Sequence, residues 1–325
     1  MGLVAERTNL LPQLLSTMEN IIEPVDRKLL ESELTPDRFL RKTNAAGNDI
    51  YMIDAHNAPN VMLEIGRLRE LTFRTAGGGT GKATDIDEFD TCEIPFKQLI
   101  VWNAEDKEII SSYRFILGRD VPLDENGYPH TPCSKLFHFS QTFIKNQWQK
   151  SIELGRSFVQ PKYQATSDSR LGLFSLDNMW DGLGTLIVDY PDQEYFFGKM
   201  TMYNSYNRVA RNMILNFLEK RFKGDASLIT PFNPTQKSEK PLKEMFTGGS
   251  LAEDFKILNQ NILDIKTTIP PLIKAYMSLS STMQYFGASA NEEFGEVEEI
   301  AILLTIKDIY EKKISRHINT YKKRK

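Results

Sequence analysis

Residues 153–203 combine the patterns of a strand, a helix and a second strand, and this alternation constrains the fold more than any other feature of the sequence. The sequence pattern predicts strands over residues 153–159 and 195–203, and a helix between them over residues 177–188. Further runs of strand character occupy residues 98–102, 109–116 and 300–306, the first two joined by a polar turn that predicts a hairpin. At least five strands separated by helices predict one extended α/β domain, with a central twisted mixed sheet flanked by helices.

The pattern divides the chain into three parts. Residues 1–59 predict a helical lead-in, because apolar residues recur at helical spacing over residues 10–22. Residues 60–310 predict the main domain, interrupted at residues 223–250 by a segment rich in Pro, Gly and polar residues that could form a lid or a linker. Residues 311–325 form a basic tail.

The charge balance and the composition exclude several classes of protein. Forty Lys and Arg face 43 Asp and Glu, for a net charge of −3, and 41% of the residues are hydrophobic. This profile is typical of a soluble globular protein rather than a disordered, collagen-like or disulfide-based one. It also lacks the basic excess on which the affinity of a dedicated nucleic-acid binder depends, so we predict no nucleic-acid partner.

The cysteines and histidines are not spaced as a metal site requires, and the cysteines and the hydropathy together predict a compartment for the protein. Cys92 and Cys133 form neither a CxxC pair nor a cluster with any of the four histidines, so we predict no metal site and a reducing environment. No stretch approaches the roughly 18 apolar residues of a membrane span. We therefore predict a cytoplasmic protein whose basic tail makes at most a peripheral contact with an anionic membrane.

Residues 77–82 have the sequence Gly-Gly-Gly-Thr-Gly-Lys, which is close to a phosphate-binding loop. The pattern fails twice, because Ala76 stands where it requires glycine and Ala83 where it requires a hydroxyl side chain for magnesium. A predicted helix that begins near Asn60, rather than a strand, precedes the loop. We interpret the segment as a flexible loop.

An acidic run precedes the predicted hairpin. Asp85, Asp87 and Asp90 belong to a group of four carboxylates within six residues. The run lacks the ligand order of an EF-hand, which argues against a calcium site. A solvated loop is the simpler interpretation unless the rest of the chain supplies partners.

Glu153 and Arg156 form a second charged cluster, inside a predicted strand. Side chains alternate between the faces of a strand, so this spacing predicts that Glu153 lies on the face opposite to both Arg156 and Phe158. Charges within an apolar sheet are costly unless they have partners. Either an edge-strand ion pair with the acidic run or a functional site would supply them, and Arg114 in the hairpin raises the same question.

Taken in order, these motifs resemble the autoinducer-synthase-like branch of the GNAT acyltransferases. This branch includes acyl-homoserine-lactone synthases, N-acyl amino acid synthases and the hemolysin-like N-acyltransferases of ornithine and glycine lipids. The matching stretches are Arg69-x-x-x-Phe73, Asp85-x-Asp87-x-x-Asp90, Tyr113-Arg114 and Glu153-x-x-Arg156-x-Phe158. Asp85 departs from the pattern, since glutamate is usual there. Stretches at 180–184, 197–206 and 270–276 are similar to the hemolysin-like members, so the resemblance covers residues 60–310 and implies a GNAT-like fold.

The resemblance implies an N-acyltransferase of acyl-amino-acid lipid synthesis. Such an enzyme moves a fatty acyl group, with or without a 3-hydroxyl, to the amine of an amino acid such as glycine or ornithine. The donor is a phosphopantetheine thioester on acyl carrier protein or coenzyme A, and no bound cofactor is implied. Two alternatives remain at this point: an acyl-homoserine-lactone-type synthase, and a non-catalytic module that binds acyl groups or acyl carrier protein on the same fold.

The resemblance also implies roles for individual residues. Glu153 is the candidate base for the attacking amine, and backbone N–H groups near residues 157–159 would stabilise the oxyanion. Arg114 and Arg156 would hold either the acceptor's carboxylate or the acidic cluster of Asp87 and Asp90. Substrate-binding positions are Arg69, Phe73, Ser157, Phe158, Val159 and Trp180. The candidate docking positions for the acidic acyl carrier protein are Lys199, Arg208 and Arg211, together with the basic tail.

Overall fold

The computed structural model describes residues 18–164, 172, 174–235 and 245–323. The helical pattern over residues 10–22 lies mostly outside these ranges, and residues 18–22 are not helical. The basic tail is described as far as Lys323. Within the described ranges, no helix is both long enough and apolar enough to cross a bilayer.

Eight strands form one sheet in the order β1-β2-β3-β4-β6-β7-β10-β9, and β5 and β8 form a separate pair. All neighbours in the large sheet are antiparallel except β6 and β7, which are parallel because a helix carries the chain between them. The predicted mixed sheet flanked by helices is confirmed. The strands are β1 (Phe39–Lys42), β2 (Asp49–Ile53), β3 (Lys97–Asn103), β4 (Glu108–Leu117), β5 (Phe137–Phe139), β6 (Ser151–Val159), β7 (Tyr195–Met202), β8 (Ile229–Pro231), β9 (Gln284–Asn291) and β10 (Val297–Thr305).

Helices cover both faces of the large sheet. Successive residues of one strand serve opposite faces, as Phe115 and Ile116 do by joining different apolar clusters. One face packs against α5 to α8, and the other packs against α2 and the segment 118–150. The helices are α1 (Arg27–Glu33), α2 (Pro59–Ala76), α3 (Glu88–Thr91), α4 (Gln141–Asn146), α5 (Ser175–Asp189), α6 (Arg208–Arg221), α7 (Leu251–Asp264), α8 (Pro271–Met277) and α9 (Glu311–Lys313).

The described part of the predicted helical lead-in differs from the prediction. Besides α1, it contains the hairpin β1–β2, which extends the sheet because β2 pairs with β3 from Asp49↔Trp102 to Ile53↔Gln98. Strands of four and five residues are too short to show a periodicity, and their partner lies about 50 residues away in sequence. The boundaries at residues 60 and 310 stay predictions.

The ends of two helices show how each helix is terminated. Helix α2 ends at Gly77 as predicted, in the left-handed conformation with φ 95°. Its first turn is capped from outside, since the Glu33 carboxylate accepts hydrogen bonds from the backbone N–H of Asn60 and of Val61. Helix α6 is capped by Asn207, whose side chain accepts hydrogen bonds from the backbone N–H of Val209 and of Ala210, although Asn204 and Ser205 just before it are capping residue types as well. Because any nearby polar side chain can cap a helix, the sequence alone leaves that choice open.

Candidate active site

The parallel pairing of β6 and β7 stops in the middle of the sheet. Its last pair is Leu154↔Gly198, whereas β6 continues beside β4 to Val159 and β7 continues beside β10 to Met202. Beyond that pair, β6 and β7 separate, and we call the resulting gap the splay. The β6 backbone from Gly155 onwards therefore faces the gap without a partner strand on that side.

A β-bulge lies directly at the splay. Between the pairs Ser112↔Phe158 and Arg114↔Gly155, β6 contains one residue more than β4, and Arg156 has a left-handed φ of 47°. The extra residue brings Arg156 and Phe158 to the face on which Glu153 lies. The predicted opposite-face arrangement is wrong, because strict alternation ends at a bulge.

The acidic run holds two of the predicted arginines through Asp90. This fully buried carboxylate lies 2.9 Å from Arg69 Nη1 and 3.2 Å from Arg114 Nη1. Arg114 also donates to both oxygens of Asp87 at 2.8 Å, and Asp87 in turn caps α3. Burial opposes the charged form of Asp90, but the attraction of the two arginines outweighs it, so the pKa of Asp90 lies well below its usual range.

The third arginine pairs with the first aspartate of the run. Arg156 Nε lies 2.9 Å from Asp85 Oδ2, although the two groups are not aligned for a hydrogen bond. Burial raises the pKa of Asp85, and the attraction of Arg156 only partly offsets this effect. The run that could have been a solvated loop is thus a buried partner of three arginines from α2, β4 and β6.

Two residues of this network were missed by the sequence interpretation. Gln98 at the start of β3 is buried, accepts from Arg69 Nη2 at 2.7 Å and donates to Asp90 at 3.1 Å. Phe294 packs edge-on against Phe73 at 5.2 Å between ring centroids, and Arg156 lies over its ring at 4.1 Å. No local pattern marked Phe294, because it belongs to the turn before β10, far from the other motifs in sequence.

Glu153 is buried, and it belongs to the last-but-one residue pair of β6 and β7 before the splay. Its Oε1 accepts from the backbone N–H of Cys133 at 3.2 Å, and its Oε2 has no hydrogen-bond partner among the described residues. Burial raises the pKa of Glu153, and the nearby Thr131 and Cys133 side chains and the charge of Lys199 only partly offset this effect. Burial also raises the pKa of the Cys133 thiol well above its ordinary value. A buried carboxylate with one unoccupied oxygen can accept a proton.

Lys199 is the first residue of β7 beyond the last pair, and its side chain is only 10% exposed. Its Nζ lies 3.7 Å from Oε1 of Glu299, a buried carboxylate on β10. Glu299 also accepts from Thr201 Oγ1 at 3.0 Å. The sequence interpretation missed Glu299, which is one of two adjacent glutamates with no motif around them.

The remaining predicted site residues do not join this group. Of the three predicted docking cations, Arg211 is buried and pairs with Glu298, which leaves Arg208, 67% exposed, as the one at the surface. Trp180 lies in the apolar core with α5, on the other face of the sheet, where it packs edge-on against Tyr276.

The glycine-rich loop after α2 encloses a carboxylate of its own chain. Glu70 is buried and accepts hydrogen bonds from the backbone N–H of Thr80 and of Gly81, each at 2.9 Å, and from the Thr80 hydroxyl. Backbone N–H groups that a phosphate-binding loop would offer to its ligand are thus occupied. The described residues also contain no group of three or more metal-binding side chains.

One domain profile, two known proteins and one solved structure align with this chain. The sequence profile of the acetyltransferase (GNAT) domain matches residues 68–171. A glycine N(alpha)-acyltransferase of Bacteroides thetaiotaomicron is 54% identical over 306 residues, which cover 94% of this chain and 91% of that protein. A glycine N(alpha)-acyltransferase of Phocaeicola vulgatus is 51% identical over 308 residues, or 94% of each chain. The CoA-dependent acyl-homoserine lactone synthase MesI aligns over 82% of this chain and 92% of its own at 12% identity, with a TM-score of 0.33 that is too low for any structural argument.

Proposed function

Because this chain belongs to the family of the glycine N(alpha)-acyltransferases and is an N-acyltransferase with a GNAT domain, we propose that it transfers a fatty acyl group to the amine of glycine. The non-catalytic alternative is thereby set aside. Glycine as acceptor is proposed from the printed names of two relatives that share about half of this sequence. The donor we propose is a phosphopantetheine thioester.

The observation that carries the proposal is the unoccupied oxygen of Glu153 beside the splay. The neutral amine attacks the thioester carbonyl, forming the C–N bond, while Glu153 accepts the proton that the nitrogen loses. Backbone N–H groups of residues 157–159 would stabilise the oxyanion of the tetrahedral intermediate. The C–S bond then breaks, and the proton passes from Glu153 to the leaving thiolate.

We assign a positioning role to the three paired arginines. Arg69, Arg114 and Arg156 each contact a carboxylate of the acidic run, so the network ties α2 and the run to β4 and to the bulge of β6. This arrangement supports the second of the two roles open at the outset, in which the arginines hold the acidic cluster. A fixed bulge keeps the N–H groups beyond it in place, as stabilisation of an oxyanion requires.

For the donor, we propose acyl carrier protein rather than coenzyme A. Acyl carrier proteins are acidic, and Arg208 is an exposed cation at the start of α6, the helix that follows the splay strand β7. Contact of the basic tail with an anionic membrane stays a prediction.

The test is an assay of the purified protein with glycine, ornithine or S-adenosylmethionine, each with palmitoyl-acyl carrier protein or palmitoyl-coenzyme A. We expect mass spectrometry to detect N-palmitoylglycine, with acyl carrier protein as the better donor. Glu153→Gln should lower the rate of product formation by about 10²- to 10⁴-fold while keeping the thermal unfolding transition. Acylornithine or a homoserine lactone as the main product would overturn the assignment of the acceptor.

A further inference from the structure

We propose that Lys199 binds the carboxylate of the acceptor and makes the enzyme select amino acids over other amines. The inference rests on the proposed function, because it assigns the acceptor's second charged group to a residue of the same site. It also gives Lys199 a different role from docking of the carrier.

The first observation is that the Lys199 ammonium makes no hydrogen bond with the described residues. Its side chain is nine-tenths buried, and its only ion pair among the described residues, with Glu299, spans 3.7 Å, which is too long for a hydrogen bond. An ammonium has three N–H donors, and the Lys199 Nζ keeps some contact with solvent, so a ligand can reach them. Unused donors at the end of a mostly buried side chain are expected where a ligand completes the site.

The second observation is that an unoccupied acceptor lies close by. Glu153 precedes the last pair of β6 and β7 by one residue, and Lys199 follows it by one. Both side chains lie on the same face of the sheet, since Glu153 is paired with Phe197 and Lys199 is two residues further along β7. The buried Oε2 of Glu153 lacks a partner among the described residues. One donor group and one acceptor group, both unsatisfied, match the carboxylate and the amine of an amino acid.

The third observation is that the other nearby cations are occupied. Arg69, Arg114 and Arg156 lie within 2.9 Å of carboxylate oxygens of the acidic run. Binding an acceptor there would break a buried ion pair, which is strongly destabilising. Lys199 would keep its contact with Glu299 while donating to a new carboxylate, because its ion pair of 3.7 Å is looser than the ion pairs of the three arginines.

The experiment compares glycine with glycinamide, which has the same amine but no carboxylate. For the wild-type enzyme we expect kcat/KM to favour glycine by about 10- to 100-fold, the range that corresponds to one charged hydrogen bond. In Lys199→Met the KM for glycine should rise by a similar factor, and the preference should fall to a few-fold, with the KM of the thioester donor unchanged. Lys199→Arg, which keeps the charge, should retain part of the preference.

Lys150→Met is the matched control, because Lys150 is an exposed lysine paired with Glu194 at the other end of β7. It should leave the preference for glycine as it is in the wild type. A wild-type enzyme that does not prefer glycine over glycinamide overturns the inference without any variant, and so does a folded Lys199→Met enzyme that keeps the preference. Failure of the wild type to acylate glycine at all would instead overturn the proposed function.

Discussion

The buried charges of the site fall into a paired group and an unpaired one. Asp87 and Asp90 accept hydrogen bonds from arginines, so they keep the local structure in place. Glu153 and Lys199 lie next to the splay, where the buried Oε2 of Glu153 has no hydrogen-bond partner among the described residues and the Nζ of Lys199 has only a 3.7 Å ion pair with Glu299. Because both residues lie beside the gap between β6 and β7, we expect substrate to be handled there.

The ionisation of Glu153 should appear in the pH dependence of catalysis. A general base must be ionised, and burial raises the pKa of Glu153 above its usual 4.5. We expect kcat/KM for glycine, corrected for the neutral fraction of the amine, to fall towards low pH with a midpoint above 4.5. Glu153→Gln should lower the rate by about 10²- to 10⁴-fold and remove this acid limb. Glu125→Gln, at an exposed position, serves as the control, and an acid limb that persists in Glu153→Gln would exclude this base.

The Asp90 carboxylate should contribute stability at neutral pH. Removal of one partner from a buried ion pair costs about 3–5 kcal/mol, so Asp90→Asn should lower the free energy of unfolding in urea by about that amount at pH 7. The pKa of Asp90 is depressed in the folded protein, so the contribution is present above the unfolded pKa of about 3.9 and is lost as the pH falls towards the lower folded value. The difference between variant and wild type should therefore shrink at pH 3. Asp120→Asn, at an exposed pair with Arg119, should leave the unfolding midpoint nearly unchanged, and an equally small effect of Asp90→Asn would contradict the network's role.

Among the elements, β6 and β7 decide the geometry of the site. They are the one parallel pair of the large sheet, and they separate after four paired positions. Gly198 ends the pairing, and a Cβ at this position would lie 2.8 Å from the carbonyl oxygen of Leu154. The strands approach this closely only because that side chain is absent.

Gly198→Ala should move the edge of the splay. Since the obstructing atom belongs to the backbone, the strands must separate at the last pair, and we expect lower stability and slower acylation of glycine. Gly155→Ala is the comparison for stability, because its added methyl group would meet Arg114 atoms at an ordinary 3.5 Å. Urea unfolding of both variants tests the prediction, which fails if Gly198→Ala is as stable as Gly155→Ala.

At the level of the whole molecule, the C-terminal segment, residues 311–321, covers part of the sheet face that lies opposite to Glu153. It packs on α5 through His317, whose Nδ1 lies 2.8 Å from Asp181 Oδ1, and Asp181 also accepts from the Asn44 backbone N–H at 2.8 Å. A Cβ on Gly184 would lie 2.3 Å from the His317 carbonyl oxygen. One buried carboxylate on α5 thus connects the turn between β1 and β2 to the end of the described chain.

Gly184→Ala should release this C-terminal segment without altering the site. We expect faster amide hydrogen exchange over residues 311–321 and a lower unfolding midpoint, with acylation nearly unchanged because the splay residues Glu153 and Lys199 lie on the other face. Gly182→Ala on the same helix is the control, since its methyl group would meet side chains at 3.7 Å and longer. That variant should be at least as stable as the wild type, because alanine favours helix. Equal exchange rates in the two variants would contradict the prediction.

Local sequence patterns were enough to predict part of the order of the elements and the residues available for chemistry. Local periodicity predicts the β3–β4 hairpin and the crossover from β6 to β7, and the conformational freedom of glycine predicts the end of α2 at Gly77. Both effects act over a few residues. The charged residues of α2, the acidic run, β4 and β6 were recognisable for the same reason, since each motif is short.

Which of these residues face one another depends on long-range contacts that the sequence did not reveal. The bulge at Arg156 reversed the predicted faces, the short β1–β2 hairpin needed its partner β3, and Lys199 proved to lie inside the protein next to Glu299. Register, burial and ion pairing arise from contacts between segments far apart in the chain, and no local pattern contains that information.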